Sequence, residues 1–164
     1  MAFTFAHLAD CERHLPVIAA WQQTEFGYLT PSITVEQREA RLRESLHGAG
    51  LPLTLVALDD DGRAVGAATL AARTITHPHL TPWLSTVVVP PAYRGRGIAS
   101  ALSLHVADAA ARLGFPTIHL FTPHNESLYR RLGWTTIGTA QLGGTPVAIM
   151  ARPTRSVNTM SGFL

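Results

Sequence analysis

Hydrophobic residues recur at every second position in some stretches of the chain and at every third or fourth in others. The changeovers outline its elements. Phe3-Thr4-Phe5-Ala6-His7 alternates apolar and polar positions, as a half-buried strand does. Asp10 offers a cap for a helix running to about Phe26, with Pro16 bending it or shifting its start. Glu25 to Ser32 mixes aromatics with Gly27 and Pro31 and predicts a loop. Thr34 opens a second helix, with Gln37 three residues on to complete a capping box, and the helix ends near Gly48. Leu53 to Leu58 is a leucine and β-branched run; Asp59 to Arg63 turns it back into Ala64 to Thr74, a hairpin. A connection through His77-Pro78-His79 and Pro82 leads to a third strong strand, Trp83 to Val89, which Pro90-Pro91 stops. Ile98, Leu102, Val106, Ala109 and Leu113 mark one face of a helix over Gly97 to Leu113, closed by Gly114. Thr117 to Thr122 is a short strand, and Asn125 to Leu132 a short helix ended by Gly133. Trp134 to Thr139 and Thr145 to Ala151 flank Gly143-Gly144 as a last hairpin.

The order is β-α-α-β-β-β-α-β-α-β-β, an α/β chain (α+β mixed sheet) with helices packed on one sheet. The length of 164 residues suits a single domain, expected over residues 1–152, with 153–164 as a flexible tail. Hydrophobic residues make up 46%, enough to fill a core. No apolar run reaches the roughly 18 residues that span a bilayer, so no membrane partner is expected. The opening MAFTFAHLADCERHL has no basic start followed by an apolar stretch, and no secretory signal is expected. Cys11 is the only cysteine, a small partly buried side chain with no intrachain disulfide to form, which suits a reducing, cytoplasmic setting. All 13 basic residues are arginine, scattered along the chain, and the net charge is only +2, so nucleic acid is not expected either. Among eight histidines, His77 and His79 flank a proline without a third ligand at a recognisable spacing; no metal is expected.

The chemistry concentrates in Val87-Val88-Val89-Pro90-Pro91-Ala92-Tyr93-Arg94-Gly95-Arg96-Gly97-Ile98-Ala99-Ser100. A strand feeds a glycine-bearing turn that opens a long helix. The first amides of a helix have no internal partner and lie at the positive end of its dipole, so an anion such as a pyrophosphate satisfies both. Gly95 and Gly97 let the backbone approach the ligand, and Arg94 and Arg96 can add charge-assisted hydrogen bonds. The pattern is neither a P-loop, for no Gly-Lys-Ser/Thr follows, nor the dinucleotide fingerprint, for the third glycine is absent.

At these residues the chain resembles the GCN5-related N-acetyltransferase (GNAT) family. Arg94 to Ala99 matches the family's Arg/Gln-x-x-Gly-x-Gly/Ala signature after a Val-x-Pro strand end, here Val89-Pro90-Pro91. Asn125-Glu126-Ser127-Leu128-Tyr129-Arg130-Arg131-Leu132-Gly133-Trp134 matches a second signature, Asn, a Tyr four residues later, then Leu-Gly-Phe/Trp. The likeness spans roughly Leu53 to Met150 in element order and is specific at those two stretches.

The resemblance implies that acetyl-CoA sits in a V-shaped gap between the fourth and fifth strands, Trp83–Val89 and Thr117–Thr122. Its pantetheine arm would pair with the backbone of Val87 to Val89. Its pyrophosphate would lie on the amides of Arg94, Gly95, Arg96, Gly97, Ile98, Ala99 and Ser100. The reaction implied is transfer of the acetyl group to an amine on a small molecule or a peptide. A neutral amine attacks the thioester, and a backbone N–H near Val88 or Val89 stabilises the oxyanion. Tyr129 matches the proton donor to the leaving thiolate. Asn125 reads as a helix cap, with a cofactor contact as its other role. The general base stays open. The central strand carries no acid, which leaves His119 on the neighbouring strand and Glu25 in the helix–loop–helix, although a satisfied strand histidine and a solvated glutamate are the commoner readings of the two. Trp21, Glu25, Phe26 and Tyr28 are expected to frame the acceptor. Homodimers are frequent among such chains. The competing function is a CoA-binding sensor or regulatory module without turnover; a purely structural domain is a third.

Overall fold

The computed structural model describes residues 2–47, 50–74 and 77–155. Seven strands form one sheet in the order β1-β2-β3-β4-β5-β7-β6. They are β1 (Thr4–His7), β2 (Leu53–Leu58), β3 (Ala64–Ala71), β4 (Trp83–Val88), β5 (Thr117–Thr122), β6 (Thr135–Leu142) and β7 (Thr145–Pro153). Among the described residues four α-helices accompany them: α1 (Leu15–Phe26), α2 (Val35–Glu44), α3 (Ile98–Arg112) and α4 (Glu126–Arg131). The element order is the one expected from the sequence. Every neighbouring pair is antiparallel except β4–β5. That pair is joined through α3, because parallel neighbours need a crossover.

Strand alternation decides which helix covers which face. Leu55, Ala57, Val65, Ala68, Leu70 and Leu84 pack with Ile98, Leu102, Val106, Tyr129 and Trp134, under α3 and α4. Val56 and Ala67, the intervening residues, pack with Leu15, Ile18, Ala19 and Leu42 under α1 and α2. A third cluster, Leu29, Trp83, Leu142, Val147 and Ile149, ties the segment after α1 to β4 and the β6–β7 hairpin.

Several boundaries move for local reasons. Two tight helical turns, Leu8–Asp10 and Glu12–His14, replace the start of the first predicted helix, which begins at Leu15 with Pro16 in its first turn. Proline has no amide to donate, and the first turn asks for none. The helix ends at Phe26, where the sequence places its end. The capping box at α2 is present: the Gln37 amide donates to Thr34 Oγ1 (3.1 Å) and the Thr34 amide to Gln37 Oε1 (2.8 Å). β3 stops at Ala71 rather than Thr74. At the other end β7 continues through Pro153, and Thr154 is buried, its amide donating to the Pro116 carbonyl (3.0 Å) and its hydroxyl to that of Phe115 (2.7 Å). Fixed structure therefore extends past the expected tail boundary; residues 156–164 of that tail lie outside the described residues.

Candidate active site

The sheet is open at its centre. β4 and β5 share a single register pair, Trp83↔His119, at the first residue of β4 and the third of β5. The Pro82 carbonyl closes that end: it accepts from the His119 amide (3.0 Å) and from His119 Nδ1 (3.1 Å), so Nδ1 carries the ring proton. Past this point the strands part, and each leaves backbone groups for another partner. A bulge in β4 accompanies the parting. Thr69 pairs with Ser85 and Ala67 with Val88, so Thr86 and Val87 stand opposite Ala68 alone. Thr86 has φ 50°, a left-handed backbone in a β-branched residue. Such a conformation costs of order 1–3 kcal/mol and persists only where its surroundings hold it.

β4 leads through Pro90 and the short turn Pro91–Tyr93 into the glycines before α3. Gly95 (φ 80°) and Gly97 (φ 79°) are both left-handed, and no atom lies within 4 Å of where either would carry a Cβ. The glycines are needed for conformation, on an open side. The first hydrogen bond of α3 runs from the Ala101 amide to the Gly97 carbonyl (3.0 Å), so the amides of Ile98, Ala99 and Ser100 precede it. No side chain caps the helix. Arg94 Nε donates to the Val89 carbonyl (2.9 Å), and its Nη2 reaches a Glu25 carboxylate oxygen (2.9 Å). The Arg96 guanidinium lies over the Tyr93 ring, 5.4 Å from its centroid. With Arg94 turned toward β4 and α1, what the turn itself offers an anion is its backbone amides and the helix dipole.

Tyr129 lies on α4, 7% exposed, packed edge-on to Trp134 at 5.9 Å between centroids. Burial pushes its phenol up to about 12. The helix is seated by the Asn125 amide, which donates to Thr122 Oγ1 (2.9 Å) at the end of β5. Asn125 occupies the N-cap position, but its side chain makes no capping bond, contrary to the sequence expectation. Its backbone angles (φ −112°, ψ 25°) depart from the extended conformation from which a cap side chain reaches forward. Gly133, left-handed at φ 93°, turns the chain so that the Trp134 amide donates to the Tyr129 carbonyl (3.0 Å).

On the opposite face the segment between α1 and α2 is held at several points. Leu29 is buried in the cluster containing Trp83. A Cβ on Gly143, at the tip of the β6–β7 hairpin, would lie 2.4 Å from the Leu29 carbonyl oxygen. Tyr28 is half exposed, and its hydroxyl bonds His124 Nε2 (2.9 Å) across from the β5–α4 connection. Arg38 donates to Gln23 Oε1 and to Thr30 Oγ1, both at 2.9 Å. Trp21 and Phe26 pack against the α1-face core, leaving Glu25 and Tyr28 outward. His119 is buried against the Trp83 ring at 5.5 Å.

The sequence model of the acetyltransferase (GNAT) family matches residues 15–134, a span that includes the β4–β5 gap, the glycine turn and α4. The chain belongs to the GNAT family. A GCN5-related N-acetyltransferase from Kribbella flavida is 26% identical, with a TM-score of 0.72 over 93% of this chain and 98% of that one. A spermidine N-acetyltransferase from Vibrio cholerae, solved with CoA and spermine, shares the fold at 17% identity, with a TM-score of 0.71 over 93% of this chain and 95% of that one. The protein is an acetyl-CoA-dependent GNAT enzyme that acetylates an amine. Among the described residues no helix is long and apolar enough to cross a membrane.

Relative to this GNAT frame, four contacts were not anticipated: the Thr86 bulge, the Gln22 amide that meets it, the Glu25–Arg94 pair and the Tyr28–His124 pair. The polar Ser85-Thr86 step inside an apolar strand was a faint signal for the first. The others join residues at least 64 positions apart, and no local pattern encodes them.

Proposed function

We propose that this enzyme acetylates a primary amine, on a small molecule or a peptide, by direct attack on acetyl-CoA bound in the β4–β5 gap. The observation that carries the proposal is the single Trp83↔His119 pair, beyond which β4 is free to take the pantetheine amides along Val87–Val89. The amides from Gly95 to Ser100, above all those of Ile98, Ala99 and Ser100, receive the pyrophosphate. A backbone N–H at Val88 or Val89 faces the oxyanion. Tyr129 protonates the departing thiolate. The burial that raises its phenol raises the basicity of a thiolate expelled beside it, so the two stay close in proton affinity. Of the two candidate bases, His119 is favoured. Its Nδ1–H is committed to Pro82, which leaves Nε2 as the acceptor, whereas the Glu25 carboxylate is already paired with Arg94.

The acceptor would enter from the α1 face, past the Tyr28–His124 contact. A cytoplasmic enzyme, as a monomer or homodimer, fits the lone free thiol. The test is thiol release from acetyl-CoA over a panel of aminoglycosides, polyamines, amino acids and peptide N-termini. At least one amine should give turnover, and Tyr129→Phe should lower kcat about 10- to 100-fold with acetyl-CoA affinity little changed. Tight acetyl-CoA binding with no thiol release from any amine would instead establish a regulatory CoA-binding module.

A further inference from the structure

Gln22 is 5% exposed, yet it lies on the face of α1 otherwise given to Leu15, Ile18 and Ala19. A primary amide buried among apolar side chains needs a partner. Its Nε2 donates to Thr86 Oγ1 at 3.3 Å. Thr86 is the sole non-glycine residue with positive φ among the described residues. Strain of that kind relaxes unless it is held. The ladder to β3 holds both flanks, through Ser85 and Val88, but skips the bulged pair itself.

The next two amides along the chain are those of Val87 and Val88, within the Val87–Val89 stretch proposed to take the pantetheine arm and the thioester. One turn further along α1, Glu25 grips the same strand from its other end, through Arg94 to the Val89 carbonyl. The acceptor-side helix thus holds the donor strand on both sides of Val87–Val88.

We propose that Gln22 is a positioning residue for acetyl transfer, fixing Thr86 in its left-handed bulge so that the β4 amides after it point at the thioester. The inference rests on the acetyl-transfer function above. Gln22 touches no reacting atom; it acts through the conformation of Thr86.

The experiment uses the full chain, an amine that the wild type acetylates, and calorimetry with acetyl-CoA. Gln22→Leu and Thr86→Val each break the contact from one side, and each should lower kcat about tenfold with the acetyl-CoA Kd changed less than about twofold. Combined, they should cost no more than either alone. Gln22→Leu/Thr86→Gly is the decisive variant. Glycine takes φ 50° without the β-branched penalty, so it should recover kcat to within about threefold of wild type. A merely structural glutamine predicts no such rescue.

The inference is overturned by a Gln22→Leu enzyme with wild-type kcat, by a loss carried equally in Kd, or by a glycine double variant no better than Gln22→Leu. If Gln22→Leu does not fold, Thr86→Val against Thr86→Gly asks the same question of the bulge. If the wild type releases no thiol with any amine, the acetyl-transfer function fails separately. Amide NMR shifts of Val87 and Val88 in the acetyl-CoA complex then still decide the positioning role: they must move in Gln22→Leu and return in the glycine double variant.

Discussion

Tyr129 combines a candidate role in proton transfer with a place in the core, and its titration should report both. A phenol pushed up to about 12 by burial keeps its proton through the working pH range. In the unfolded chain the same group titrates near 10. Below pH 10 both states hold the proton, and the contribution to stability is complete. Between about 10 and 12 the folded state binds more protons, so stability falls as pH rises, by about 2–3 kcal/mol in all. Denaturant midpoints measured from pH 8 to 12 should show this fall, and Tyr129→Phe should flatten it. Unchanged curves in the variant would place the alkaline loss elsewhere. Cys11 makes a second residue-scale case. Burial raises its thiol, which lies 3.4 Å from the His7 carbonyl as a weak donor. It should react with a thiol reagent in denaturant and scarcely at all in the native protein. A thiol-release assay then reads coenzyme A without background.

At the scale of elements, the start of α3 joins a backbone conformation to the proposed pyrophosphate site. Gly97 sits at φ 79° with open space around its missing Cβ, so Gly97→Ala clashes with nothing and changes only the backbone preference. That preference is worth about 1–2 kcal/mol. The variant should melt a few degrees lower and bind acetyl-CoA several-fold more weakly. Gly97→Glu adds a negative charge at the anion site and should abolish the melting shift given by acetyl-CoA. A glutamate variant that binds like wild type would remove the pyrophosphate from this turn.

The molecule as a whole brings two faces of one sheet to a common gap. In the proposed function the donor turn belongs to β4 and α3 and the acceptor side to the α1–α2 connection, which packs on the β6–β7 hairpin. Gly143 is a point of close approach between those last two: a methyl group there would meet the Leu29 carbonyl oxygen in a backbone of φ 56°. Gly143→Ala must displace one of them. The expected result is a higher KM for the amine, by about tenfold, with the acetyl-CoA Kd unchanged. Equal losses for both substrates would show that the hairpin supports the whole gap.

The order of elements, the capping box at Thr34, the glycine turn before α3 and the Asn125–Trp134 signature were all legible in the sequence. Each depends on residues within about a dozen positions of one another, where periodicity, capping and turn chemistry act. Tertiary structure alone decided where β4 and β5 part, that Thr86 is held left-handed, and that Arg94 turns to Val89 and Glu25. It also decided that the Asn125 side chain does not cap α4. These follow from contacts between distant segments. A side chain's hydrogen-bond partner, unlike its polarity, is set by what the fold brings beside it.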